Sequence, residues 1–243
     1  MLTQRPSLMR TLPLLCLLVL PCVAHAQLAP PRGEALPRWS VRASSGFALE
    51  ERDARWFSEA ATQDDAVLAV TARLGRRWAV GVAAGRSENA EFRTALNAFN
   101  AVARVTLPFR ARWQAVPYAA LTHEREYVRG DRLNALTEGN VGVTVLRPVR
   151  LSSRLALSPG VDASGGYSRS NRTYGKPEER EQRIVHARLV AALPVAFRLT
   201  QGFYLNAEPT AGLVTRAGLL GKNLDSITPQ SQYGLRLSAE LRF

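Results

Sequence analysis

The chain has 243 residues, enough for one domain with a large core or barrel. Its formal charge of +12 is carried almost entirely by arginine, since Lys176 and Lys222 are the only lysines. Both cysteines, Cys16 and Cys22, lie before residue 27, so the chain beyond that point excludes disulfides and cysteine-ligated metal.

The first element is an export signal. Arg5 and Arg10 precede an apolar run from Leu12 to Val23, and Ala24-His25-Ala26 then supplies small residues flanking a cleavage point before Gln27. The run is short for a membrane span. Pro21 stands where a lipoprotein signal at Cys22 would want a small residue. Residues 1–26 therefore read as a cleaved signal peptide and 27–37 as a short polar, proline-rich leader. Export argues against nucleic acid as the partner of this basic chain, and no nucleic-acid motif is present.

From residue 38 onward the dominant signal is alternation with a period of two, the mark of strands with two unlike faces. Trp39, Val41, Ala43 and Phe47 oppose Arg42, Ser44 and Gly46. Leu68, Val70, Ala72 and Leu74 oppose Thr71 and Arg73, and Trp78, Val80 and Val82 oppose Gly81. Phe99, Ala101, Ala103, Val105 and Leu107 oppose Asn100, Arg104 and Thr106. Trp113, Ala115, Pro117, Ala119 and Leu121 oppose Gln114, Tyr118, Thr122 and Glu124. Val141, Val143 and Val145 oppose Asn140, Gly142 and Thr144. Leu155 to Gly165 opposes Arg154, Ser158, Asp162 and Ser164. Val185 to Phe197 opposes His186 and Arg188, and Pro194 argues against a helix there. Phe203 to Leu213 opposes Tyr204, Asn206 and Glu208. Tyr233, Leu235, Leu237, Ala239, Leu241 and Phe243 oppose Arg236, Ser238, Glu240 and Arg242.

These are ten candidate strands, each of a length that crosses a bilayer when tilted. Eight remain possible if the first pair or the 181–217 pair is misread. Short connections at Gly75-Arg76-Arg77, Pro108–Ala111, Arg147–Arg150 and Arg198–Gly202 alternate with longer polar ones at 51–65, 128–136, 169–181 and 218–230, and with a tighter loop near Ser87–Glu91. Short periplasmic turns and longer external loops are the habit of an up-and-down outer-membrane barrel. Aromatic residues form two sets. Trp39, Trp78, Phe109, Trp113, Phe197, Phe203 and Phe243 fall at the short-turn end, and Phe47, Phe92, Tyr127 and Tyr167 at the other, as two bilayer interfaces would place them.

The final segment, with Tyr233, Leu235, Leu237, Leu241 and Phe243 on one face and an aromatic last residue, resembles the C-terminal strand of bacterial outer-membrane β-barrels. The resemblance implies an all-β, transmembrane, up-and-down antiparallel barrel over residues 38–243. It also implies recognition of those five residues by the barrel-assembly machinery. The expected location is the cell outer membrane.

Alternation alone leaves open which face is inside. A soluble barrel would turn the apolar face inward; a membrane barrel inverts this. In the inverted arrangement the lumen receives Arg42, Arg73, Arg104, Arg112, Arg154, Arg188, Arg216 and Arg236. Facing them are Glu124, Glu138, Asp162, Glu208 and Glu240. Such charges would pair and plug a narrow barrel; a narrow anion-favouring pore is the alternative.

His123 and His186 are the histidines beyond the signal. With Glu124, Glu126, Ser164 and Ser168 nearby, a rim Ser–His–Glu arrangement is a third reading, although no local motif of an outer-membrane enzyme family is present. The expectation is a non-enzymatic protein. Arg129-Gly130-Asp131 reads as ordinary turn chemistry rather than an adhesion signal, and 171–180 as a solvated mixed-charge loop. Arg86, Arg93, Arg125, Arg169 and Arg183 are expected to ring the outer rim, where lipopolysaccharide phosphates are the natural partner. No phosphate loop or metal-ligand spacing occurs, so neither cofactor nor metal is expected. The expected state is a monomer with a structural or envelope-interaction role.

Overall fold

The computed structural model describes residues 38–51, 61–89, 94–109, 112–128, 131–173, 181–220, 223–224 and 228–243. Residues 1–37, read above as a signal peptide and leader, lie outside them, as do Phe92, Arg93 and the Arg129-Gly130 pair. Ten long strands make the wall. They are β1 (Trp39–Glu51), β2 (Ala61–Arg73), β3 (Trp78–Asn89) and β4 (Thr94–Val105, continued by Leu107–Phe109). Next come β5 (Trp113–Val128), β6 (Asp131–Leu146, continued by Val149–Arg150) and β7 (Leu155–Leu157 and Gly160–Arg172). The last are β8 (Glu181–Ala192 and Val195–Thr200), β9 (Phe203–Leu220) and β10 (Thr228–Arg242). Pro148, Pro159 and Pro194 stand in the interruptions of β6, β7 and β8, where a missing N–H breaks the ladder locally.

Each strand pairs antiparallel with its sequence neighbours, and β1 closes on β10 from Ser40–Arg242 to Glu51–Ser231. No open edge is left along the ring, as a wall in lipid requires. The offsets between successive pairs accumulate to a stagger of about fourteen residues around the circle, for a strand tilt of about 45°. Ten strands at that tilt place the backbone about 10 Å from the axis, so long side chains from the wall reach the middle.

Burial identifies the inner face. Arg42, Asn100, Thr122, Glu124, Asp162, Arg188, Glu208 and Glu240 are buried, while Leu68, Val82, Phe99, Leu121, Val141, Leu189, Leu213 and Leu237 are all more than half exposed. A water-soluble barrel could not leave that belt bare. The exterior is apolar and the interior polar, the inverted arrangement.

The hairpins run further than the alternation reached. β6 starts at Asp131, inside the segment read as a loop at 128–136, and β7 continues to Arg172. In these extensions the inner face stays covered, with Asn134, Leu136, Ser168 and Ser170 buried, but polar residues stand on both faces, so the ladder persists while the apolar–polar alternation fades. The turn between β6 and β7 falls at Ser152–Arg154 rather than Arg147–Arg150. There the Ser152 hydroxyl accepts the N–H groups of Arg154 and Leu155, and Arg150 donates to the Ser152 and Ser153 carbonyls. Two other short turns rest on glycine: Gly75 at φ 102° and Gly202 at φ 91° adopt a conformation disfavoured for other residues.

Candidate functional site

The polar parity of the strands gathers the charged side chains into the lumen. At the closing seam Arg42 and Glu240 are cross-strand partners. Arg42 Nη2 and Arg242 Nη2 each lie 3.1 Å from Glu240 Oε2, and the Arg242 guanidinium stacks 4.0 Å from the centroid of the Tyr204 ring. Two arginines on one carboxylate tie β1, β9 and β10 together where the barrel closes.

A second cluster centres on Asp162. Its Oδ1 accepts the Tyr118 hydroxyl at 3.0 Å, its Oδ2 accepts Thr144 at 2.7 Å, and Arg188 Nη2 lies 3.6 Å from Oδ1. Those groups come from β5, β6, β7 and β8. Tyr118 reaches across β6 because the residue beneath its ring is Gly142. A Cβ there would stand 2.6 Å from the Tyr118 hydroxyl oxygen and 2.7 Å from Ser164 Cβ. Glu208 lies between the clusters. It is the cross-strand partner of Arg236 and is within electrostatic range of both Arg42 and Asp162.

A third group sits higher in the lumen. His186 Nε2 is 2.7 Å from Asn140 Oδ1 and 3.7 Å from Glu138 Oε1, while Asn140 Nδ2 donates to Glu138 Oε1. Gly166 leaves the room for this contact, since a Cβ would run into Asn140 and His186. His123 faces the other way. It lies on the outer surface, 3.1 Å from Thr137 Oγ1, with Arg125 Nε 3.4 Å from its Nε2. The two histidines therefore stand on opposite sides of the wall and do not converge.

Of the expected lumen charges, Arg42, Arg188, Glu124, Asp162, Glu208 and Glu240 are buried inside. Arg73, Arg104, Arg236 and Glu138 are half-buried on the inner face, with Arg104 in electrostatic range of Arg42, Arg73 and Glu240. The Arg216 side chain lies outside the described residues. Arg154 is a correction: it is exposed in the Ser152–Arg154 turn, because that turn falls later than Pro148 suggested. Arg112 is exposed in the turn before β5 for the same kind of reason. Tyr118, Thr144 and Tyr204 belong to the clusters although they carry no charge, and Arg242 belongs to them although it was not among the expected lumen charges. Their place on the polar parity was the available signal.

Tyr233, Leu237, Leu241 and Phe243 are exposed on the outer face, with Leu235 half-buried beside them. Phe243 is also a structural clasp, since its carbonyl accepts Arg38 N–H at 2.9 Å and its N–H donates to Trp39 O at 3.0 Å. Among the described residues no group of His, Cys, Asp and Glu is arranged to hold a metal.

No family model matches the sequence, and no curated protein matches it. Among solved structures the chain is similar to the outer-membrane protease OmpT of Escherichia coli, at 9% identity and a TM-score of 0.39 over 84% of this chain and 96% of that one. It is also similar to the β domain of the Bordetella autotransporter BrkA, at 10% and 0.45 over 86% and 100%. The attachment protein Ail of Yersinia pestis follows at 9% and 0.35 over 86% and 100%. These likenesses concern architecture alone. By its closed ten-strand wall and apolar exterior the chain has the architecture of a transmembrane β-barrel, of a family that the comparisons do not identify.

Proposed function

We propose that this barrel has a structural, envelope-interaction role, with a lumen closed by its own arginine–carboxylate network and no catalytic step. The observation that carries the reading is the pair of sealed carboxylates, Asp162 and Glu240, each 2% exposed and each held from several strands. Paired in this way, the charges brace the wall rather than line a path.

The envelope partner we assign is phosphate on lipopolysaccharide. On the outer face His123, Thr137, Arg169 and Arg183 follow one another along a single cross-strand row, with Arg125 one step above. Tyr167, exposed, stands just below Arg169 as the last lipid-facing aromatic of β7. Cations beyond an aromatic belt sit at headgroup level. The same reading includes removal of residues 1–26 on export, delivery by the barrel-assembly machinery through Tyr233, Leu235, Leu237, Leu241 and Phe243, and a monomeric state.

A narrow anion-favouring channel is the second reading. Its water-filled lumen, though not its anion preference, which the lumen arginines would supply, is favoured by Glu208 Oε1, Asn206 Oδ1 and Gln114 Oε1, buried atoms with no hydrogen-bond partner within the protein. Such groups call for water. Single-channel recording of refolded protein lacking residues 1–26 separates the two. The occluded reading expects a silent bilayer with wild type and current steps once Glu240→Gln releases Arg42 and Arg242. Stable anion-favouring steps with wild type, reduced by Arg104→Gln, would establish the channel instead.

A further inference from the structure

The short-turn end of the barrel has a charge pattern unlike the rest of the molecule. The turn segments 74–77, 106–112, 147–154 and 193–202 contain eight arginines, no lysine and no Asp or Glu. Arg38, exposed, adds to them at the chain's closing seam. The opposite end is mixed: Glu50, Glu51, Asp64, Asp65, Glu88, Glu126, Asp131 and Glu181 stand there among the arginines.

Four of the short-turn arginines, Arg76, Arg77, Arg147 and Arg154, are exposed, and no ion pair joins them to a carboxylate among the described residues. Arg150 is different, because it braces its own turn through the Ser152 and Ser153 carbonyls. Immediately above the turns, Trp39, Trp78, Trp113, Phe197 and Phe243 are exposed on the lipid side. Within the turns themselves Leu74 and Leu151 are more than half exposed. A tryptophan belt is thus followed, in the turns below it, by exposed guanidiniums that no described carboxylate pairs, with Leu74 and Leu151 among them. That is the vertical order of a bilayer interface, carbonyl region and then phosphate. The turns are too short to reach past the headgroups toward a distant partner. Arginine's planar fork suits a phosphodiester better than a lysine ammonium would.

We infer that the periplasmic turns form a ring that selects anionic phospholipid headgroups of the inner leaflet, through their phosphates. Each exposed arginine beside such a leaflet contributes on the order of 1 kcal/mol at most, so four acting together enrich anionic lipid several-fold around the barrel.

The test exploits the tryptophans. Protein lacking residues 1–26 and carrying Trp56→Phe, which removes the one tryptophan outside the short-turn end, is reconstituted in mixed vesicles of phosphatidylcholine and phosphatidylglycerol, with bromine on the acyl chains of one lipid or the other. Quenching of Trp39, Trp78 and Trp113 then reports which lipid sits beside the ring. Wild type is expected to be quenched several-fold more effectively when phosphatidylglycerol carries the bromine. The preference should fall toward one in the Arg76→Gln, Arg77→Gln, Arg147→Gln, Arg154→Gln variant, and persist in the matching Arg→Lys variant in reduced form. Should the glutamine variant fail to fold, wild type in rising salt supplies the same readout, because screening weakens a headgroup contact. Added inorganic phosphate separates sources: loss of quenching preference at millimolar phosphate would assign the ring to a free anion. Equal quenching by the two lipids overturns the inference. So does arginine-dependent binding to purified peptidoglycan without lipid preference, which would make the cell wall the partner.

Discussion

At the scale of single residues, the lumen depends on small residues as much as on charged ones. Gly142 exists to be covered by the Tyr118 ring on its way to Asp162. Gly142→Ala is expected to push that ring off and cost about 1–3 kcal/mol in urea-unfolding measurements in lipid. Gly139→Ala, where a Cβ meets nothing within 4 Å, should stay within about 0.5 kcal/mol. Asp162 itself carries more. Asp162→Asn leaves Arg188 buried without its anion, an expected loss of about 3–5 kcal/mol in the same measurement, and adding Arg188→Met should recover most of it. If the double variant is no more stable than Asp162→Asn, the pair is not the source of the cost.

At the scale of elements, the alternation made the transmembrane parts of the strands legible and left their extensions obscure. Val141, Val143 and Val145 against Asn140, Gly142 and Thr144 could only be a two-faced strand, because lipid and lumen demand opposite residues at every step. From Asp131 to Glu138 no lipid faces the wall, and β6 continues on its backbone ladder and on polar side-chain contacts such as Ser170 to Asn134, which leave no apolar alternation to read. The lumen clusters were half legible. Parity placed Arg42, Asp162 and Glu240 inside, but their partners depend on the stagger, which brings Tyr118 to Asp162 across an intervening strand. Arg154 was misplaced because the Ser152-Ser153 turn, rather than Pro148, reverses the chain. The last strand's main-chain clasp and the assembly role proposed for its outer face can be separated by experiment. Phe243 closes the seam through main-chain groups while its ring points outward. Phe243→Ala should therefore keep the urea midpoint of the folded barrel nearly unchanged. It should slow folding into vesicles only where the barrel-assembly machinery is present. An equal slowing in plain vesicles would assign the ring to intrinsic folding.

At the scale of the whole molecule, the stagger, the closure and the inverted polarity form one solution. A tilt of about 45° lets a wall of ten strands bring long side chains to its axis. An unplugged lumen of that width would hold water, and the two sealed carboxylates are its counterweight. The loss of either carboxylate is expected to show as ionic current before it shows as unfolding, a sequence that conductance and heat-modified gel mobility on the same sample would reveal.

The contrast between the two ends also sets a direction in time. Whichever end leads during insertion must pass through hydrocarbon, where each unpaired arginine is penalised by about 2–4 kcal/mol. The loop end carries acids and bases that neutralise one another in transit, whereas the acid-free turns have no such escort. The barrel is thereby built to enter a membrane one way round, loops first, with its arginine base left on the side from which it came.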